Sequence, residues 1–136
     1  LSMLFGNIYQ NKKVLVTGNT GFKGSWIVAW LLELGAEVYG ISVDIPSNPS
    51  HFEVAELRQK MNHYEADICN LEQIKKIIHQ VKPNFVFHLA AQSLVRLSYE
   101  RPIQTINSNI IGSANILDAL WQANFHCNVV MITSDK

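Results

Sequence analysis

Short runs of β-branched and apolar residues alternate along this chain with longer stretches in which apolar residues recur every three or four positions. "KVLVTG" (13–18) reads as a buried strand. "FKGSWIVAWLLELG" (22–35) follows as a helix, with Trp26, Ile27, Trp30, Leu31 and Leu34 at helical spacing and Gly35 as its stop. "EVYGISVD" (37–44) is a second strand, and "IPSNPS" (45–50) a loop, since Pro46 and Pro49 block regular structure. The pattern predicts a short helix over 51–60 and a short third strand over "HYEAD" (63–67). "NLEQIKKIIHQV" (70–81) opens with an Asn cap and carries Leu71, Ile74, Ile77, Ile78 and Val81 on one face. "PNFVFHLAA" (83–91) is a fourth strand, "PIQTINSNIIGSANILDALWQAN" (102–124) one long helix opened by Pro102, and "NVVMITS" (128–134) a fifth strand. The helical stripes assign Trp26, Trp30 and Trp121 to the core.

Repeated βα units with almost unbroken apolar strands predict an α/β fold, a doubly wound parallel sheet covered by helices on both faces. Length agrees: 136 residues, 48% of them hydrophobic, suffice for one domain over 1–136 with a core of its own. Eleven basic residues balance eleven acidic ones, so charge gives no reason to expect a nucleic-acid partner. Cys69 and Cys127 are too few for a disulfide framework and read as reduced, buried thiols. His51, His63, His79, His88 and His126 lack metal-ligand spacing, so no metal is expected. No apolar run is long enough to span a membrane and the first residues lack a signal-peptide layout, so the expected compartment is the cytoplasm and no membrane partner is expected.

The chemistry starts at "VTGNTGFKGSW" (16–26), where Gly18, Gly21 and Gly24 fall between a buried strand and an amphipathic helix. Amide groups at a helix start, together with the helix dipole, favour an anion there. Gly18 suits the tight turn, Gly21 leaves the backbone open to a pyrophosphate, and Gly24 allows close packing of helix on strand. Asp44, about twenty residues on, ends the second strand where a carboxylate accepts hydrogen bonds from an adenosine ribose and repels a 2′-phosphate. Residues 41–50 hold no Lys or Arg, so NAD is expected rather than NADP. Lys23 within the loop either helps hold a phosphate or is a surface residue. This is the pattern of a Rossmann-type NAD-binding fold.

The Gly-x-x-Gly-x-x-Gly spacing resembles that of the extended short-chain dehydrogenase/reductase family, which includes nucleotide-sugar epimerases and dehydratases. Further stretches match in order: "ADI" (66–68), "HLAAQS" (88–93), "NSNIIGS" (107–113) and "TSDK" (133–136). With "LLELGAEVYGISVD", "NPSHFEVA" and "FHLAAQSLVRLSYERP", the likeness narrows to the nucleotide-sugar 4,6-dehydratases and covers essentially the whole chain. It implies strand order 3-2-1-4-5, ending here after the fifth strand. It also implies cofactor contacts from Gly18, Thr20, Gly21, Phe22, Lys23, Gly24, Asp44, Asp67, Ile68, Leu89, Ala90, Ala91, Gln92 and Ser108. Ser93 and Arg96 follow the fourth strand where substrate binds; Arg96 meets a phosphate or a sugar hydroxyl, or only pairs with Glu100.

The resemblance further implies a lyase acting on a nucleotide sugar, with CDP-glucose the expected substrate. Oxidation at C4 acidifies C5, water leaves across C5–C6, and hydride returns to C6 to give a 4-keto-6-deoxy sugar for deoxysugar and O-antigen synthesis. Ser134 would hydrogen-bond the C4 oxygen and Asp135 would protonate the leaving C6 hydroxyl. Lys136 would replace a glutamate base or stabilise charge near C5. An ammonium of ordinary pKa, about 10.4, abstracts no proton at neutral pH, so the base role requires desolvation or a cationic neighbour. The family's Tyr-x-x-x-Lys pair has no match in a suitable context, which predicts the cofactor-binding half of a longer enzyme, inactive by itself. A second copy of the chain, in a dimer or tetramer, is the expected protein partner. Two alternatives share the glycine loop: another epimerase or dehydratase of the family, and a non-catalytic NAD-binding or sensing module.

Overall fold

The structure, a computed structural model, describes residues 4–133. Five parallel strands form one sheet in the order β3-β2-β1-β4-β5: β1 Lys13–Thr17, β2 Glu37–Ser42, β3 Asn62–Glu65, β4 Phe85–His88 and β5 Asn128–Met131. The parallel sense is as the apolar pattern predicts, and the strand order is as the family resemblance implies. β1 lies at the centre, with Leu15 opposite Tyr39 on one side and Val86 on the other. Its residues Val14, Leu15 and Val16 are fully buried, which explains the unbroken apolar run.

Alternate residues of the strands feed two separate cores. On one face Leu15, Ile41 and Val86 meet α3 (Leu71–Val81) and α6 (Gly112–Ala123) through Ile74, Ile78 and Ile116. On the other face Val14, Val16 and Val38 meet α1 (Phe22–Glu33) through Val28 and Leu31, with Phe52 of α2 (His51–Val54) and Leu57 beside them. The Asn70 side chain caps α3 by accepting from the Gln73 amide at 3.1 Å, as the sequence predicts. Gly35 ends α1 with φ +79°, also as predicted.

The tryptophans are a correction. Trp26, Trp30 and Trp121 are 55%, 49% and 85% exposed, and α1 instead buries Gly24, Ser25, Val28 and Leu31. The helix sits so close to the glycine turn that only small residues fit beneath its first turn. Trp26 lies outside and stacks on His51 at 4.0 Å, while Trp30 meets Phe5 edge-on at 5.5 Å.

Several elements differ in extent: the strands expected over 37–44, 63–67, 83–91 and 128–134 are Glu37–Ser42, Asn62–Glu65, Phe85–His88 and Asn128–Met131, so residues 89–91 are loop and not strand. The helix expected over 51–60 stops at Val54, because Glu56 takes left-handed angles (φ 52°) before a 3-10 turn at Leu57–Gln59. The helix expected over 102–124 runs as α5 (Pro102–Ile106), a π turn (Asn107–Ile111) and α6, all with right-handed helical angles at the joins. A further helix, α4 (Val95–Glu100), occupies a segment for which the apolar pattern predicts no element. Both cysteines are free and half-buried, less covered than expected, and burial pushes the Cys127 thiol up to about 11. Among the described residues no helix is long and apolar enough to cross a membrane.

Ile78 is fully buried between α3 and the sheet. Ile78→Ala is therefore expected to cost about 2–5 kcal/mol. Val54→Ala, at a side chain 75% exposed, should change stability by less than about 0.5 kcal/mol. Urea melts of the two variants check the contrast.

Candidate dinucleotide site

At the carboxyl end of β1 the chain turns through Gly18, whose φ of +71° is costly for any residue with a side chain. A Cβ there would lie 2.8 Å from the Ala90 amide nitrogen, so the turn also presses against the end of β4. A Cβ on Gly24 would stand 2.0 Å from the Gly18 carbonyl oxygen. The first turn of α1 is thus packed directly on the loop that precedes it. Gly18 N donates to the Ile41 carbonyl (2.8 Å) and Gly21 N to the Gly18 carbonyl (3.1 Å), which locks the turn against β2.

No side chain caps α1 at Gly21, so its first amides remain open to a ligand anion. Phe22 and Lys23 are exposed at this end. The buried Thr20 hydroxyl donates to the Asp44 carbonyl at 2.5 Å, and so draws the turn after β2 toward the glycine loop. Asp44 itself is exposed, its carboxylate open to solvent beside that loop. Among the described residues, uncapped helix amides and a nearby free carboxylate form the donor and acceptor set that a dinucleotide's pyrophosphate and ribose require.

After β3, Asp67 is exposed and its carboxylate accepts from the Cys69 amide at 2.9 Å. Ile68 is buried, with its carbonyl held by Asn115 Nδ2 at 2.9 Å. Ser108 is half-buried in the π turn. After β4, Leu89 and Ala90 are half-buried, Ala91 is exposed, and Gln92 folds back through its own side chain onto Leu94 and Thr105. The expected cofactor residues therefore line the carboxyl edge of β1, β2, β3 and β4, where open α/β sheets bind ligands. Ser93 and Arg96 are exposed at the same edge, and Arg96 Nε pairs with Glu100 at 2.9 Å, one of its two expected roles. Ser134, Asp135 and Lys136 lie outside the described residues. Among the described residues no cluster of His, Cys, Asp and Glu could hold a metal ion.

The structure adds residues that the sequence reading passed over. Asn19, fully buried in the glycine loop, hydrogen-bonds His63 of β3 at 3.0 Å. Thr17 and His88, opposite one another on β1 and β4, bond at 2.6 Å between Oγ1 and Nδ1. Asn109 holds the backbone of Gln92 at both its amide (2.7 Å) and its carbonyl (3.0 Å). The signal for the second pair was a Thr and a His placed last in two neighbouring strands of otherwise apolar character.

This fold and this edge define a Rossmann-type domain of the extended short-chain dehydrogenase/reductase class. The chain belongs to the GDP-mannose 4,6 dehydratase family, whose profile matches residues 15–136. It is 47% identical to the CDP-glucose 4,6-dehydratase of Salmonella typhimurium over 134 residues, covering 98% of this chain and 37% of that one. It is 34% identical to the GDP-mannose 4,6-dehydratase of Vibrio cholerae, over 82% of this chain and 32% of that one. Among solved structures, UDP-glucose 4-epimerase of Stenotrophomonas maltophila with bound NAD aligns with TM-score 0.79 at 28% identity, over 92% of this chain and 38% of that one. The Thermus thermophilus UDP-glucose 4-epimerase complex with NAD gives TM-score 0.72 at 31% identity, over 82% of this chain and 34% of that one. The chain thus spans about a third of the length of the relatives it matches.

His88 is 1% exposed, and burial pushes its imidazole down from the ordinary 6.5 to about 4. The unfolded chain takes up this proton near pH 6.5 while the folded chain resists until about 4. His88 therefore stabilises the fold fully above pH 6.5 and loses that contribution as pH falls toward 4. The loss is on the order of 3 kcal/mol. Urea melts between pH 7 and 4.5 should show this slope, and His88→Gln should flatten it.

Proposed function

We propose that this chain is the NAD-binding part of a nucleotide-sugar 4,6-dehydratase whose substrate is CDP-glucose. The observation that carries the reading is the uncapped start of α1, set beside the exposed Asp44 by the Thr20 hydrogen bond. The 47% identity to a CDP-glucose 4,6-dehydratase supports the choice of substrate. The location proposed is the cytoplasm, and the product a 4-keto-6-deoxy sugar for deoxysugar and O-antigen synthesis.

Bound at this edge, NAD supplies reversible hydride storage. The chain's own residues do the rest. Amides at the start of α1 hold the pyrophosphate, and Asp44 accepts from the adenosine ribose. Asp67 and Ile68 flank the adenine, and Leu89 to Gln92 with Ser108 border the remainder of the cofactor. Ser93 and Arg96 reach toward the sugar nucleotide. Ser134 hydrogen-bonds the C4 oxygen, Asp135 delivers a proton to the departing C6 hydroxyl, and Lys136 stabilises charge at C5 or, with its pKa lowered, removes the proton there.

Calorimetric titration with NAD⁺ tests this reading. Saturable binding is expected, with NADP⁺ binding more weakly. Asp44→Asn should weaken NAD⁺ by about tenfold or more, the range for a hydrogen bond to a charged group, while narrowing the preference over NADP⁺. A folded chain giving no heat with NAD⁺ overturns the reading. Comparison of CDP-glucose with other nucleoside-diphosphate sugars, using the whole protein, tests the substrate.

We further propose that α5, the π turn and α6 pair with a second copy of the chain. Ile103, Ile106, Ile110, Leu117 and Trp121 are 69%, 47%, 60%, 49% and 85% exposed along one helical stripe at spacings of three, four and seven. Asp118 is the one charged residue between 102 and 124. Light scattering is expected to show a dimer or larger species that Ile110→Asp converts to monomer; a wild-type monomer at high concentration contradicts it.

A further inference from the structure

Segment 89–92 borders the proposed cofactor edge, and beyond the backbone bond from Leu89 N to the Thr17 carbonyl of β1 (3.1 Å) its backbone is tied to side chains. Leu89 N and Ala90 N both donate to Thr17 Oγ1, each at 3.1 Å. Gln92 donates its amide to Asn109 Oδ1 and accepts at its carbonyl from Asn109 Nδ2. These two anchors are joined behind the loop. Thr17 Oγ1 lies 2.6 Å from His88 Nδ1, His88 Nε2 lies 3.0 Å from Ser113 Oγ, and the Ser113 hydroxyl donates to the Asn109 carbonyl at 2.8 Å.

Proton counting fixes the direction of every link. Thr17 Oγ1 accepts from the Ala90 amide and shares the Leu89 amide with the Thr17 carbonyl (3.1 Å), and the acceptor in reach of its own hydrogen is His88 Nδ1 at 2.6 Å. Nδ1 is then an acceptor, and the neutral ring carries its hydrogen on Nε2. Nε2–H donates to Ser113 Oγ, and the Ser113 hydrogen passes on to the Asn109 carbonyl. Reversing the Thr17–His88 link leaves the buried Thr17 hydroxyl hydrogen without an acceptor. Thr17 and His88 are 0% and 1% exposed, so water is not at hand to repair such a break.

We propose that Thr17, His88, Ser113 and Asn109 form a one-way hydrogen-bond relay that sets the backbone of segment 89–92, with His88 as its positioning residue in the Nε2–H tautomer. The relay couples β1, β4 and the helix that carries the π turn, so a shift of that helix is transmitted to Ala90 as well as to Gln92. Its consequence for ligand binding rests on the NAD reading above; its existence does not.

The test combines ring-nitrogen NMR of His88 with site-resolved amide exchange in wild type, Ser113→Ala and Ser113→Thr. Ser113 is only half-buried, so its alanine variant is expected to fold. Wild type should show His88 protonated on Nε2 at neutral pH. In Ser113→Ala, exchange at Ala90, three links away, should rise by at least about tenfold more than at Val16 of β1, the mark of local rather than global opening. Ser113→Thr, which keeps the hydroxyl, should restore it. NAD⁺ affinity should fall several-fold in Ser113→Ala and recover in Ser113→Thr. An Nδ1–H tautomer, or Ala90 exchange that merely follows Val16, overturns the relay. If the wild-type chain binds no NAD⁺, the proposed function fails, and the tautomer and exchange results still decide the relay.

Discussion

The close approach of Gly24 to the Gly18 carbonyl, where a Cβ would stand 2.0 Å away, is the constraint on which the rest of the structure depends. A helix can start there only if its first turn carries no bulk on the inner side. That requirement brings α1 down onto the turn, leaves its N terminus without a side-chain cap, and points its amides at the carboxyl edge of the sheet. It also places Gly18 against the Ala90 amide, so that the loops after β1 and β4 share one surface.

Around that contact, polar side chains do the joining that strands cannot do beyond their ends. Thr20 reaches the turn after β2, Asn19 reaches β3 through His63, and Thr17 reaches the end of β4. Asn115 and Asn109 extend the same service from the long helix to Ile68 and Gln92. Thr17, Thr20 and Asn115 are buried, where an unpaired polar group is costly, and each bond they make fixes one loop; Asn19 is bonded through Nδ2 while its Oδ1 has no partner among the described residues. The ligand edge is therefore pre-formed, which lowers the ordering cost of binding.

Much of this was legible in the sequence because it rests on local pattern. The apolar strands, the Asn70 cap, the Gly35 stop and the glycine triplet each state their own geometry, while the sheet order observed was implied by the family resemblance. The outward tryptophans of α1 were not legible from periodicity alone, since Leu31 belongs to both the bulky stripe and the buried one. The small residues Gly24 and Ser25 were the better guide to which face approaches the sheet. The π turn left no trace because its residues keep ordinary helical angles at both joins. The pairing of Thr17 with His88 depends on strand register, which joins positions 71 residues apart. The residues 134–136 carry a chemical expectation that the described structure leaves where the sequence put it.

The most direct measurement of the central claim is a map of backbone amide shifts on adding NAD⁺ to the isotope-labelled chain. The account predicts the largest changes at Gly21 to Gly24, with further changes at Asp44 and at Leu89 to Gln92, and little at Ile74 to Val81. Saturable shifts that spare the start of α1 and cluster on another surface would contradict it.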